Sequence, residues 1–158
     1  MTSLLRAAVI CAASLSLVAA AGCGGSDTQS SNDYVAALNK VQTDLVANVQ
    51  KVGSTPSGGS SDPVASAKQT FSKLESAIKQ GVTDLKGVQA PDKVKSLHNE
   101  LIAEVQQFGD QVKAAGDSLN SKDPTAIVTA QTKFATSATT LQTKISRTID
   151  AINKKLQG

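Results

Sequence analysis

The chain has 158 residues, with 16 Lys and Arg against 13 Asp and Glu, 3% aromatic side chains and no Trp. So near a balance of charge, with so few rings, gives nucleic-acid binding no support. Both cysteines, Cys11 and Cys23, precede Gly24, so the rest of the chain has no thiol for a disulfide, a Cys-based zinc site or a nucleophile.

Met1 to Arg6 form a short segment with one positive charge, and Ala7 to Ala20 form an uncharged apolar run too short to span a bilayer stably. This pattern predicts an export signal over residues 1–22. It ends in Ala20-Ala21-Gly22-Cys23, which resembles the lipobox of bacterial lipoproteins, with Ala20 standing where that pattern most often has Leu or Val. The resemblance covers about the first 25 residues. It implies that the Cys23 thiol is joined to diacylglycerol, that the preceding bond is cut, and that Cys23 becomes an often acylated N-terminus. The localisation implied is the cell membrane, lipid-anchored on its extracytoplasmic face. The alternative is ordinary cleavage at the small-residue run, giving a soluble secreted protein with a free thiol at Cys23.

Residues 23–32 then read as the lipidated cysteine and a flexible tether, because Gly24 to Asn32 is small and polar with no apolar anchor. A coil of that length has a root-mean-square span of about 15 to 18 Å. Residues 33–158 are expected to fold as one helical domain.

Tyr34, Leu38, Val41, Leu45, Val49 and Val52 recur at spacings of three and four, predicting a first helix that starts near Asp33. Gly53 to Asp62 breaks it. Asp62 as N-cap and Pro63 at the first helical position open a second helix, whose stripe is Val64, Ala67, Phe71, Leu74, Ile78, Val82 and Leu85, with Gly87 as its stop. The third opens at Pro91 and follows Val94, Leu97, Leu101, Val105, Phe108, Val112, Ala115 and Leu119, close to a seven-residue repeat. After a tight turn at Asn120–Asp123, Asp123-Pro124 repeats the cap-and-proline start. The fourth helix carries Ile127, Phe134, Ala138, Leu141, Ile145, Ile149, Ile152 and Leu156. No segment reads as a strand.

Four helices with one apolar stripe each hide those stripes only against one another, which predicts an all-α, antiparallel up-down-up-down four-helix bundle behind the signal helix and tether. In that topology the tether, the second connection and the C-terminus share the membrane end. Lys79, Lys86, Lys93, Lys95, Lys144, Arg147, Lys154 and Lys155 collect there, so Lys86, Lys93, Lys95, Arg147, Lys154 and Lys155 are candidate contacts for anionic headgroups or cell-wall polyanions. Lysines near helix C-termini also complement the helix dipole, which accounts for Lys86, Lys154 and Lys155 without any partner. Counted from the opposite end at 1.5 Å per residue, Phe71, Phe108, Phe134 and Val41 fall at one level. They read either as a packed core layer or as the lining of an apolar pocket.

Thr125, Thr129, Thr132, Thr136, Thr139, Thr143 and Ser146 lie two residues out of step with the fourth stripe and are expected to face solvent, where a hydroxyl ladder could bind carbohydrate or carry glycans. His98, the single histidine, sits next to the third stripe and reads as a surface or boundary residue. Glu100 and Glu104 share a helix face, but the paired Glu-x-x-His pattern of di-iron bundles is absent, as are a phosphate loop, a dinucleotide fingerprint and a nucleophile elbow. No enzyme, metal or cofactor is expected. Residues 90–112, APDKVKSLHNELIAEVQQFGDQV, resemble segments of small helical lipoproteins of Gram-positive, high-GC bacteria, a resemblance that implies no activity. Two functions fit these readings. The first is a membrane-anchored, non-enzymatic structural or interaction module that meets an envelope protein or cell-wall polymer. The second is a carrier of an apolar small molecule or lipid in the bundle core.

Overall fold

The computed structural model describes residues 25–54, 62–120 and 123–157. The signal segment, Cys23 and most of the break after the first helix lie outside them. Among the described residues the fold is all-helical: α1 spans Gly25–Ser54, α2 Pro63–Gly87, α3 Lys95–Asp117 and α4 Pro124–Gln157, and no strand is present. Short 3-10 turns at Asp92–Val94 and Ser118–Asn120 flank α3.

Local chemistry sets the helix starts. The Asp62 carboxylate accepts hydrogen bonds from the backbone N–H groups of Val64 and Ala65 at 2.9 and 3.4 Å, and Pro63 fills a position where the missing N–H costs nothing. Asp123 repeats the arrangement, accepting from the Thr125 N–H at 2.9 Å and the Thr125 hydroxyl at 2.7 Å. These bonds hold its carboxyl below the usual carboxylate range. Gly87 closes α2 as its last residue, and extended Val88 turns the chain away with its N–H on the Leu85 carbonyl.

The first helix begins at Gly25 rather than near Asp33, so Gly25–Asn32 is helix and not a coil tether. Packing supplies what the polar composition lacks: Ser31 is buried beside Tyr34 and Val35, so the last turn of that extension is docked on the domain. The nine residues before Tyr34 form a helical stalk of about 13 Å.

The core follows the stripes in α2, where Phe71, Leu74, Ile78, Val82 and Leu85 are all buried. In α3 and its flanking 3-10 turns the buried seam is Val94, His98, Leu101, Val105, Gly109, Val112, Ala115, Gly116 and Leu119. His98 and Gly109 thus take places expected for Leu97 and Phe108, which are half-buried. Glycine explains this shift, because it lets helices approach closely: a Cβ on Gly116 would meet the Phe71 Cβ at 3.0 Å, and one on Gly109 would meet Ile78 at 3.2 Å. α2 therefore lies against the glycine line of α3 and pulls that line inward.

α1 packs chiefly on α2, α2 on α3, and α3 on α4. Neither outer helix is buried as its stripe suggests: Leu45, Val49 and Val52 in α1, and Ile127, Phe134, Ala138, Leu141 and Ile145 in α4, are only half-buried. The fully enclosed part of α4 is Ala130 and the terminal group Thr148, Ile149 and Ile152.

His98 corrects the surface reading. It is 4% exposed and joins three helices. Its Nε2 lies 3.0 Å from the Leu85 carbonyl oxygen, which can only accept, so Nε2 carries the hydrogen. Nδ1 is then free to accept from the Tyr34 hydroxyl at 3.2 Å. The neutral ring satisfies both partners, and no described buried side-chain N or O lacks one. A histidine hydrogen-bonded at both nitrogens can sit on an apolar seam, which its polarity alone does not disclose.

Burial pushes the Tyr34 hydroxyl up to about 12 and lowers the His98 imidazole below its ordinary value, only partly opposed by the Leu85 carbonyl. Because the unfolded imidazole takes up a proton more readily than the folded one, the stability His98 contributes is complete above its unfolded value, about 6.5, and drains away as pH falls through it. The apparent Tm is expected to drop between about pH 7 and 5, and a His98→Gln variant is expected to lose most of that slope. Equal slopes in both proteins would contradict the buried neutral ring. Gly116→Ala is expected to destabilise by about 1 to 3 kcal/mol through overpacking against Phe71. Gly87→Ala, with open space around it, is expected to be neutral or stabilising by up to about 1 kcal/mol; denaturant titration of both variants checks the contrast.

Candidate functional site

Three sets of side chains stand out, and the fold separates them. The first gathers where α1 at Tyr34, the end of α2, the start of α3 and the end of α4 meet. Tyr34, His98 and the Leu85 carbonyl are joined there by hydrogen bonds, and Lys93 Nζ donates to the Leu156 carbonyl at 3.2 Å. Lys86, Lys93, Lys95, Lys154 and Lys155 are exposed around it. Lys93 thereby occupies one of the open carbonyls at the end of α4, where a positive charge complements the helix dipole. Lys79 belongs to a surface ion pair with Glu75 at 2.6 Å, one turn away on α2.

Arg147 leaves this group. It lies with Lys144 in a groove between α3 and α4 whose α3 wall carries Glu100, Glu104 and Asp110. Sequence position near the C-terminus suggests the basic end, but Arg147 lines this groove with Glu100, Glu104 and Asp110. Thr148, buried at 5% exposure, donates its hydroxyl to Glu104 Oε2 at 3.2 Å, and Lys144 Nζ donates to Gln107 Oε1 at 3.1 Å. Desolvation raises the Glu104 carboxyl above its ordinary value, with the Glu100 charge adding to the effect and the Thr148 hydroxyl and Lys144 opposing it. Nothing in the apolar periodicity marks Thr148, which fills a core-side place on α4 with a polar atom.

The second set is the phenyl layer. Phe71 and Phe134 meet edge to face with centroids 5.9 Å apart, and Phe108 lies 5.8 Å from Phe134 in a tilted contact. The rings pack on one another in favourable aromatic geometries. Val41 is buried but offset from them: Leu45, one turn along α1, lies against Gly81, ten residues from Phe71 and so about 15 Å away along α2. Val41 falls at the level of the rings only if α1 ends level with its neighbours, which the Leu45–Gly81 contact does not allow.

The third set is the outer face of α4. Thr125, Thr129, Thr132, Thr136, Thr139 and Thr143 are exposed, and Ser146 is half-buried. Thr132, Thr139 and Thr143 donate their hydroxyls to carbonyls four residues back, leaving the oxygen lone pairs facing water. Beside them Val128, 64% exposed, is the large apolar side chain most open to solvent among the described residues.

Among the described residues no three His, Cys, Asp or Glu side chains gather as a metal site, and no helix is long and apolar enough to cross a membrane. Comparison with protein-family models, with curated proteins and with solved structures gives no match.

Replacing Glu104 by Gln keeps an oxygen to accept from Thr148 and removes the charge that burial penalises. Because the folded carboxyl lies above its unfolded value, that penalty is full at neutral pH and disappears as pH falls below the carboxylate range. Glu104→Gln is therefore expected to raise the Tm at pH 7 and to match the parent near pH 3, as thermal scans at the two values would show.

Proposed function

We propose that this chain is an exported lipoprotein, anchored through Cys23 to the extracytoplasmic face of the cell membrane, whose helices form an antiparallel up-down-up-down bundle. It acts as a non-enzymatic structural or interaction module of the cell envelope. Three pairings support that topology: Phe71 faces Gly116, Ile78 faces Gly109 and the Leu85 carbonyl meets His98, so residue numbers rise along α2 as they fall along α3. Lys144 with Gln107 and Thr148 with Glu104 pair α4 with α3 in the same opposed sense.

The observation that carries the reading is where the first turns of α1 lead. This helix is already formed at Gly25, and its buried Tyr34 lies at the end of the fold where Lys86, Lys93, Lys95, Lys154 and Lys155 are exposed. A lipid on Cys23 would bring those amines toward the headgroups, where each basic side chain near an anionic surface contributes about 1 kcal/mol. Diacylglycerol on the thiol carries two acyl chains, which give firm membrane retention, while one chain alone holds only marginally.

A carrier of an apolar small molecule or lipid is the second reading. The half-buried apolar row Ile127, Phe134, Ala138, Leu141 and Ile145 on α4 favours it. Native mass spectrometry distinguishes the two, since a carrier retains added mass from a co-purified lipid and an interaction module gives the bare polypeptide mass.

Cys23→Ser is expected to move the protein from the membrane fraction to the soluble fraction and to abolish incorporation of labelled palmitate. In the Cys23→Ser background, changing Lys86, Lys93, Lys95, Lys154 and Lys155 to Gln is expected to remove salt-sensitive binding to anionic vesicles. Unchanged membrane retention of Cys23→Ser would refute the anchor; unchanged vesicle binding of the five-lysine variant would refute the role of the basic end.

A further inference from the structure

α3 and α4 leave between them an open groove of about 700 Å³, to which α3 contributes Glu100, Glu104 and Gln107 and α4 contributes Lys144, Arg147 and Thr148. Glu100 and Glu104 stand four residues apart, a like-charge spacing that weakens a helix by a few tenths of a kcal/mol. Elsewhere the chain puts a lysine at that spacing from an acid, as in Lys40–Asp44 and Glu75–Lys79. Here the nearby Lys144 amine is bonded to the Gln107 amide oxygen. The Arg147 guanidinium makes no ion pair or hydrogen bond with any described residue, although it lines the same groove as the two glutamates. The groove thus holds a guanidinium and a carboxylate pair that do not satisfy each other.

The buried Thr148 hydroxyl holds the Glu104 carboxylate from beneath, so this acid is positioned rather than free to swing into solvent. With Asp110, three carboxylates line the groove together with the two cations Lys144 and Arg147. The local excess is negative by one, and a ligand that completes the site carries one net positive charge.

We propose that the groove binds a small diamino carboxylic acid, free or as the C-terminal residue of a peptide, with its carboxylate on Arg147 and an ammonium group between Glu100 and Glu104. A planar guanidinium matches a carboxylate through two parallel hydrogen bonds, which an ammonium cannot reproduce. The ligand ammonium supplies the positive charge that the Glu100 and Glu104 spacing lacks. Desolvation of Glu104, which raises its carboxyl, makes an arriving cation more favourable there than beside a fully hydrated acid. The groove is open, so the ion pairs remain partly screened and the affinity falls in the millimolar range. This site is independent of the lipid anchor and of the basic end.

Titration of the full-length protein in detergent micelles with L-lysine, followed by calorimetry or backbone amide shifts, tests the proposal. Saturable binding is expected. It should weaken about tenfold in Arg147→Gln and in Glu100→Gln, one charged hydrogen-bonded contact being worth about that factor. Lys133→Gln, exposed on α4 outside the groove, should bind as the parent does. Norleucine, which lacks the second ammonium, and cadaverine, which lacks the carboxylate, should each bind about tenfold more weakly than lysine. Tighter binding of alanyl-lysine than of lysine assigns the site to a peptide end, and the reverse order assigns it to the free amino acid. Absence of saturable lysine binding, equal binding by the Arg147 and Glu100 variants, or cadaverine binding as tightly as lysine would each overturn it.

Discussion

A short chain of hydrogen bonds, from the Tyr34 hydroxyl through the His98 ring to the Leu85 carbonyl, fixes how three helices meet at one end of the fold. Apolar stripes can slide along one another at little cost, since one methyl group replaces another. A buried imidazole cannot slide, because moving it by one turn would leave a donor and an acceptor without partners in a low-dielectric core. With no cysteine after Cys23, nothing covalent holds the domain, and this polar contact sets the register that the hydrophobic seams alone leave loose.

From that register the rest follows in order. α2 descends from its Asp62 cap with every stripe residue from Phe71 to Leu85 buried, and it seats against the glycine line of α3. The close approach of those two helices makes the central pair of the domain. α3 then presents its other flank to α4, and the polar pairs Glu104 with Thr148 and Gln107 with Lys144 mark the boundary between core and groove. Phe134 reaches back from α4 to both Phe71 and Phe108, linking the outer helix to the central pair.

How much of this was legible in the amino-acid sequence depended on whether apolar spacing carried the information. The helix count, the Asp-Pro starts and the α2 seam are all visible as periodicity and capping chemistry. His98 was not, because a histidine is judged by its polarity until its two partners are known, and those lie 13 and 64 residues away. The inward turn of Gly109 and Gly116 was equally hidden, since a residue without a side chain leaves no mark on a hydrophobic pattern. The α3–α4 groove brings Glu100 and Arg147 together across two helices, a proximity that linear spacing does not express. The polar stretch before Asp33 reads as coil by composition, which gives no sign that Ser31 is buried against the domain.

The half-buried seam of α1 has a kinetic meaning. Leu45, Val49 and Val52 rest mainly on one neighbour, whereas α2 and α3 are enclosed by several. Such a helix behaves as its own cooperative unit, opening and reclosing at a smaller free-energy cost than the global transition. By that principle the part of α1 that carries these residues opens at a lower cost than the α2–α3 pair. A protease or a binding partner in search of a transient foothold would find it there first.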